Sequence, residues 1–202
     1  MFKRFLILAT LIMTAETASA DLPSPVAGKL RVYSEVELSP KQERELVRFS
    51  RRSMYYGAFY FAPGTDASGW EAQTHALAAA DALAKAACSA DAGVACTLYA
   101  DMVPENEAAS GRNLSSLSRE GRNGIKEAQR EHRNGLHGAF AISPLGIWAS
   151  GWNYQTKSSA ERNVMQLCNR KAVNKKSTID DETLAVLKSA NLIDCRIYTN
   201  FR

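Results

Sequence analysis

Three residues close together in the first half of the chain have side chains that could exchange protons with a substrate. They are Asp66, Glu71 and His75. Carboxylates and an imidazole act as general acids and bases when they face a common cleft. A small envelope hydrolase that uses this acid/base set is therefore the enzymatic alternative for this chain. A similar stretch further on does not repeat the set, because Lys157 stands at the position that matches His75.

The sequence lacks the motifs of several large enzyme classes. It has no G-x-S-x-G turn to present a nucleophilic serine, no H-E-x-x-H zinc motif, no P-loop and no glycine-rich dinucleotide motif. The other two histidines, His132 and His137, lie in a basic segment and just before a predicted strand, and we expect both at the surface. We therefore expect no cofactor and no catalytic metal, and we favour a non-catalytic binding or interaction module.

Four cysteines, Cys88, Cys96, Cys168 and Cys195, indicate a second kind of chemistry. An even number of cysteines in an exported chain is typical of disulfides, and four cysteines allow three pairings. The pairs Cys88–Cys96 and Cys168–Cys195 occupy matching places in two similar stretches, so we predict those two bridges. A zinc site is the competing interpretation, but the chain has no C-x-x-C spacing and no histidine near a cysteine.

Two groups of residues are candidates for binding a partner. Trp148, Trp152 and Tyr154 would form an aromatic platform for a peptide or a glycan if one sheet face were left open, and otherwise they pack in the core. The second group is the basic segment 112–133, in which six basic residues stand against three glutamates. Its candidate binding residues are Arg119, Arg122, Arg130 and Arg133.

The basic segment allows two interpretations. It is either a solvated linker with a frayed helix from Ile125 to Arg133, or a mobile arm for an anionic partner such as an envelope protein or an anionic lipid headgroup. The formal charge of +4 falls to +3 without the first 20 residues. Such a mild excess gives no reason to expect binding to nucleic acid.

The first 20 residues have the pattern of a bacterial signal peptide. Lys3 and Arg4 precede the apolar run 5–13, and Ala18-Ser19-Ala20 forms an A-x-A cleavage site. The apolar run is too short to span a bilayer, and no later stretch is apolar for long enough. We expect cleavage after Ala20 and a periplasmic or secreted protein, whose oligomeric state the sequence does not indicate.

The mature chain begins with an extended lead-in, a strand and a helix, in residues 21–54. Residues 29–38 alternate between apolar and polar side chains, which predicts a half-exposed strand at a sheet edge. Ser39 and Gln42 form a capping box around Pro40 at the first helical position, so we predict a helix from Pro40 to about Arg51.

Two similar ββαβ units follow, in residues 55–107 and 135–202, with the basic linker 108–134 between them. In each unit we predict a hairpin with a glycine turn, an amphipathic helix that ends near a cysteine, and a last strand after the second cysteine. We match Gly57 with Gly138, Trp70 with Trp152, and Thr74 with Thr156 as helix caps. The second unit also carries an insertion with a short predicted helix over 181–190. The predicted fold is α+β with antiparallel sheet.

Several short stretches of the second unit are similar to a known family. Gly138–Pro144, Ser150–Tyr154, Ser158–Arg162 and Asp194–Tyr198 resemble a DUF4189-type domain, and the first unit resembles it more loosely, so the chain has two degenerate copies. The resemblance implies a small exported bacterial domain, a disulfide-stabilised α+β module without an established activity. It implies no catalytic residues.

Overall fold

The computed structural model describes residues 28–52, 55–105, 117–133 and 135–202, and the predicted signal peptide lies outside them. The described part of the chain has an α+β fold with five helices and two antiparallel sheets, and an N-terminal strand and helix precede the first repeat, as predicted. The elements are β1 (Gly28–Val32), α1 (Pro40–Arg52), β2 (Tyr56–Phe61), β3 (Ser68–Thr74), α2 (Leu77–Ala92), β4 (Thr97–Pro104), α3 (Arg119–Glu131), β5 (His137–Ile142), β6 (Trp148–Tyr154), α4 (Lys157–Lys176), α5 (Asp181–Ser189) and β7 (Arg196–Phe201).

The two sheets share the order of three strands, and the first sheet has β1 as an additional edge strand. The first sheet runs β1-β4-β2-β3 and the second runs β7-β5-β6, so that β2, β3 and β4 correspond to β5, β6 and β7. The hairpins share an irregularity between Tyr56 and Ala58 in the first unit and between His137 and Ala139 in the second. A bulge changes the direction of the side chains next to it. Because both hairpins have this irregularity at the equivalent position, the two units are similar in backbone detail as well as in strand order.

A helix covers each face of both sheets. In the first unit Phe59 and Phe61 pack with Phe49 of α1, whereas Ala58 and Tyr60 pack with α2. Successive strand residues point to opposite faces, so α1 and α2 lie on opposite sides of the sheet. The second unit is built in the same way. There Phe140 and Ile142 pack beneath α3, while Ala139 and Ala141 pack against α4.

The interpretation of 108–134 as a solvated linker is wrong for its described part. Helix α3 begins at Arg119, six residues before the predicted frayed helix, and it buries Gly121, Gly124, Ile125 and Ala128. Its N-cap, Ser118, follows the buried Leu117, just as Ser39 follows the buried Leu38 before α1. Both helices have 13 residues, so α3 is the counterpart of α1 and the repeated unit is αββαβ.

Three predictions for the N-terminal strand and the first unit are wrong. Strand β1 ends at Val32 instead of Leu38. Thr74 does not cap α2, because β3 extends through it and its one hydroxyl hydrogen is directed to a carbonyl oxygen, that of Ala76 at 2.9 Å, with that of Tyr56 at 3.3 Å. Trp70 corresponds to Ser150 rather than to Trp152, since Trp70 pairs with Phe59 and Ser150 pairs with the equivalent Phe140.

The predicted capping box of α1 and both predicted disulfides are confirmed, and the structure adds a second capping box at the start of α4. The Ser39 backbone N–H donates to Gln42 Oε1 at 3.0 Å, and Gln42 N–H donates to Ser39 Oγ. Thr156 forms a reciprocal cap with Ser159 at the start of α4. Both predicted bridges, Cys88–Cys96 and Cys168–Cys195, are present. Each bridge ties the second helix of its unit to the start of the last strand.

The insertion of the second unit joins the two units together. Leu187 of α5 and Ile193 after it are buried against Ala79 and Leu83 of α2. Leu145, in the turn of the second hairpin, belongs to the same cluster. The helix predicted inside the insertion is therefore confirmed, and its apolar side forms part of the interface between the units.

A close contact between α3 and the second sheet leads to a first prediction. A methyl group on Gly124 would lie 2.3 Å from the ring of Trp148, which is held by stacking on Phe140. We expect Gly124→Ala to destabilise the protein by about 2 kcal/mol, because overpacking outweighs the gain of about 1 kcal/mol in helix propensity. Asn123→Ala is the matched control, since Asn123 is exposed on the same helix. Urea unfolding of both variants measures the difference, and equal stability of the two would contradict the close packing.

Candidate functional site

The structure does not bring Asp66, Glu71 and His75 together. Asp66 is exposed in the turn of the first hairpin, on an open cleft of about 500 Å³ beside the N-terminus of α1. Glu71 forms an ion pair with Lys175 of α4 at 3.4 Å. His75 follows the other end of β3, which at roughly 3.3 Å per residue places it about 20 Å from the hairpin turn. The three side chains share no cleft.

His75 is instead a buried link between the two units. It is 4% exposed, and its backbone N–H donates to the Pro144 carbonyl oxygen at 2.8 Å. Its Nδ1 lies 2.9 Å from the Ser143 carbonyl oxygen, and its Nε2 lies 3.3 Å from Ser118 Oγ. Because a carbonyl oxygen only accepts, the neutral ring carries its proton on Nδ1 and accepts from the Ser118 hydroxyl through Nε2.

The Ser118–His75 pair has a structural role. Ser118 Oγ accepts the Gly121 N–H at 3.1 Å and so caps α3, and Ser118 is only 1% exposed. Burial lowers the pKa of His75 from its ordinary value of 6.5 to about 4, against the opposing effect of its hydrogen bond to the Ser143 carbonyl. A neutral, buried imidazole with no carboxylate among its hydrogen-bond partners fastens the start of α3 to the first unit.

The three aromatic candidates do not form one platform. Trp148 stacks on Phe140 beneath α3 with ring centroids 5.6 Å apart, and Lys171 Nζ lies 4.8 Å from its centroid. Tyr154 packs in the cluster formed with α4, on the opposite face of the sheet. Trp152 is half-buried on β6. An aromatic surface made of Trp148, Trp152 and Tyr154 is therefore not assembled.

The basic residues of α3, in contrast, form one continuous row. Arg119, Arg122, Lys126 and Arg130 are spaced by three, four and four residues, so at 3.6 residues per turn they fall within an arc of about 80°. Arg119, Lys126 and Arg130 are exposed, and Arg122 is half-buried. With a rise of about 1.5 Å per residue, the row is about 17 Å long. We call these four residues the α3 row.

The geometry of α3 separates its charges by sign. The residues Gly121, Gly124, Ile125 and Ala128 occupy the buried side, directly opposite the α3 row. Glu120, Glu127 and Glu131 occupy a neighbouring arc, and in this region the Arg130 guanidinium pairs with the Glu131 carboxylate at 3.0 Å. This pair is exposed, so it competes weakly with an external anion. The helix therefore presents a narrow cationic ridge with an acidic margin.

The end of α3 is also fixed to the sheet. Asn153, which has a positive φ of 65°, accepts the Arg133 backbone N–H through Oδ1 at 2.9 Å and donates to the Glu131 carbonyl oxygen. The exposed Arg133 lies just beyond the helix, close to the last turn of the α3 row. His75 and Ser118 fix one end of α3, and Asn153 fixes the other. The α3 row therefore lies on a helix that is packed against the protein, and not on the mobile arm that was one of the two interpretations of this segment.

Sequence reasoning selected three of the four residues of the α3 row and missed Lys126 as a binding residue. It also missed the equivalence of α1 and α3. The signal was present in the Leu-Ser pairs at 38–39 and 117–118, each followed by 13 helical residues. The two helices otherwise share little sequence, even at buried positions, where Gln42 and Phe49 of α1 correspond to Gly121 and Ala128 of α3.

The described residues offer no group of three or more His, Cys, Asp or Glu side chains arranged to hold a metal ion. Within the same part of the chain, every helix is too short or too polar to cross a membrane. Comparison of the chain with models of protein families, with curated proteins and with solved structures finds no match in any of the three. The resemblance to DUF4189-type domains therefore stays an expectation.

Proposed function

We propose that this protein is a non-catalytic interaction module of the bacterial envelope, and that its α3 row binds an acidic polypeptide segment of a partner protein. The observation that carries the proposal is the alignment of four cations on the exposed side of a helix that is fixed at both ends. A fixed row of charges loses little conformational freedom on binding, which favours affinity. Two buried disulfides suit an exported location.

The shape of the α3 row favours an extended acidic segment over an enclosed small ligand. The row is a ridge about 17 Å long on the exposed side of a helix, and such a convex surface does not surround a small molecule. The exposed arc contains no large apolar side chain, so insertion into a lipid layer has no support at this place. An extended segment rich in carboxylates can form an ion pair with each cation along the length of the α3 row.

The proposal predicts a specific loss of binding when the α3 row is neutralised. The test variant carries Arg119→Gln, Arg122→Gln, Lys126→Gln and Arg130→Gln. The control removes four exposed cations elsewhere, with Lys85→Gln, Arg162→Gln, Arg170→Gln and Lys188→Gln. The probe is a fluorescent polyglutamate peptide, and its affinity for the wild type should fall as salt is added.

We expect the α3-row variant to bind the peptide at least about fourfold more weakly, because four ion pairs at the surface contribute roughly 0.2–1 kcal/mol each. The control should change the affinity by less than about threefold. Equal weakening in the two variants would show that only net charge matters, and it would contradict the proposal. Capture of a periplasmic protein by the wild type and the control, but not by the α3-row variant, would extend the result to a natural partner.

A further inference from the structure

The two units of the chain contact each other through different surfaces. The first unit contributes residues 73–76, where β3 ends and α2 begins, and the second unit contributes its hairpin turn and the N-terminus of α3. The His75 N–H donates to the Pro144 carbonyl oxygen of the turn at 2.8 Å, and His75 Nε2 lies 3.3 Å from Ser118 Oγ. Because the contact joins two different surfaces of two similar units, it is heterologous, and each unit has one such surface that this contact does not use.

The unused surface of the first unit is an open cleft. Pro63 and Pro144 each lie two residues after the first strand of their hairpin, and Ser39 and Ser118 each cap the helix that precedes it. Pro63 and Ser39 are therefore the counterparts of the two residues that receive His75. Both line the cleft of about 500 Å³ beside the N-terminus of α1, which we call the receiving cleft.

The unused surface of the second unit is an exposed loop. Ala76 and Thr156 are the N-cap residues of α2 and α4, so Gln155 corresponds to His75. Gln155, Thr156 and Lys157 are all exposed, and we call these three residues the docking loop. One molecule therefore carries a receiving cleft without its loop and a docking loop without its cleft.

The charges of these two surfaces are opposite. Glu37 and Asp66 line the receiving cleft and are both exposed, and the described residues place no cation in its lining. The docking loop contributes Lys157, whose contact with Glu161 of the same helix is long, at 3.7 Å, and largely exposed. An exposed pair of this kind is weak, so Lys157 remains available to a carboxylate of another molecule.

Gln42 determines how deeply a loop can enter the receiving cleft. In the second unit Gly121 leaves room for the imidazole, since a methyl group there would lie 3.6 Å from His75 Nε2. In the first unit Gln42 takes the equivalent position, and its Nε2 donates to the Ala62 carbonyl oxygen at 3.3 Å, as His75 does to the equivalent carbonyl of the second unit. A docking loop therefore lies above Gln42, and the ion pairs of Lys157 take the place of the buried hydrogen bonds.

We infer that the receiving cleft of one molecule binds the docking loop of a second copy, so that molecules associate head to tail. The contact repeats the arrangement of the two units within the chain, with Lys157 of one copy beside Glu37 and Asp66 of the other. Each added copy brings a new free cleft, so association continues until the chain of molecules closes on itself. Helix α5, which adds apolar area to the internal contact, belongs to the second unit alone, so the association is of the weak, transient class.

The test is sedimentation velocity of the mature, disulfide-bonded protein at low ionic strength. Concentrations extend to about 1 mM, which is the Kd of a weak interaction. Lys157→Glu reverses the charge of the docking loop, and Glu37→Lys/Asp66→Lys reverses the charge of the receiving cleft. Lys188→Glu is the control, since Lys188 is an exposed cation of α5. All four residues are exposed, and circular dichroism checks the fold of each variant.

We expect the average mass of the wild type to rise with concentration. Each charge-reversed variant alone should associate at least about fourfold more weakly, since ion pairs are lost and like charges face each other instead. A mixture of equal parts of the two variants should associate about as strongly as the wild type, because every docking loop then finds a cleft of opposite charge. Lys188→Glu should stay within about twofold of the wild type.

Four results would overturn the inference. A wild type that stays monomeric up to about 1 mM would leave the cleft to a partner of another kind. Equal weakening by Lys188→Glu would indicate net charge alone. Failure of the mixed variants to associate would contradict the pairing of loop and cleft, and loss of association in the α3-row variant with full association in Lys157→Glu would assign the contact to α3. None of these measurements contains polyglutamate, so the inference and the proposed function fail separately.

Discussion

Removal of the Cys168–Cys195 disulfide is expected to lower the free energy of unfolding by about 3 to 4 kcal/mol. The bridge closes a loop with a sequence separation of 27, whereas Cys88–Cys96 closes one of 8. Since a bridge mainly restricts the unfolded chain, and more so for a longer loop, we expect a smaller loss of about 2 to 3 kcal/mol for Cys88–Cys96. The longer loop also contains α5 and Ile193, which form part of the contact between the two units.

Urea unfolding of Cys168→Ala/Cys195→Ala and Cys88→Ala/Cys96→Ala measures this difference. Alanine is preferred to serine because the four cysteines are buried and a hydroxyl would lack a partner. The two double variants serve as controls for each other, because each removes one bridge at an equivalent place of the repeat. A larger loss for the Cys88–Cys96 pair would contradict the role given to the inserted loop.

Acid should destabilise the protein through His75. The pKa of His75 in the folded protein is about 4 because burial disfavours the charged ring, whereas the unfolded chain has the ordinary value of 6.5. The neutral ring therefore contributes stability that is fully present above pH 6.5 and is lost as the pH falls from 6.5 towards 4. The loss is on the order of 3 kcal/mol.

The comparison of wild type with His75→Gln isolates this contribution, because glutamine is polar but does not titrate. Between pH 7 and pH 4.5 the wild type should lose more stability than the variant. An NMR titration gives an independent check, since the His75 ring signal should stay that of the neutral form until close to pH 4. A midpoint near 6.5 would show that the ring is not buried as described.

Local patterns in the sequence predicted most elements of the fold, because their causes lie within a few residues. The capping box of Ser39 and Gln42 marks the start of α1, and the alternation of Phe140 and Ile142 with alanines marks β5. The matching positions of the cysteines predicted both bridges. In each case the responsible contacts are short in sequence or repeated in the second unit.

The remaining features depend on contacts that a linear pattern does not contain. The turn between Phe61 and Ser68 is one residue longer than the turn between Ile142 and Trp148, so the spacing between equivalent positions changes within the hairpin and Trp70 corresponds to Ser150. The shared residue type alone made Trp152 look equivalent to Trp70. Helix α3 looked solvated because glycine and alanine form most of its buried side, and their small size is what lets it approach Trp148. His75 looked accessible because its partners, Ser118 and Ser143, are distant in sequence.

The central claim is that α3 presents a fixed cationic row to an acidic partner, and NMR spectroscopy tests it most directly. The backbone amide signals of isotopically labelled mature protein would be followed during titration with polyglutamate. The account predicts that the largest shifts are confined to residues 119–133, with saturation, and that they vanish at high salt. Shifts spread over basic residues of all elements, or concentrated outside α3, would contradict it.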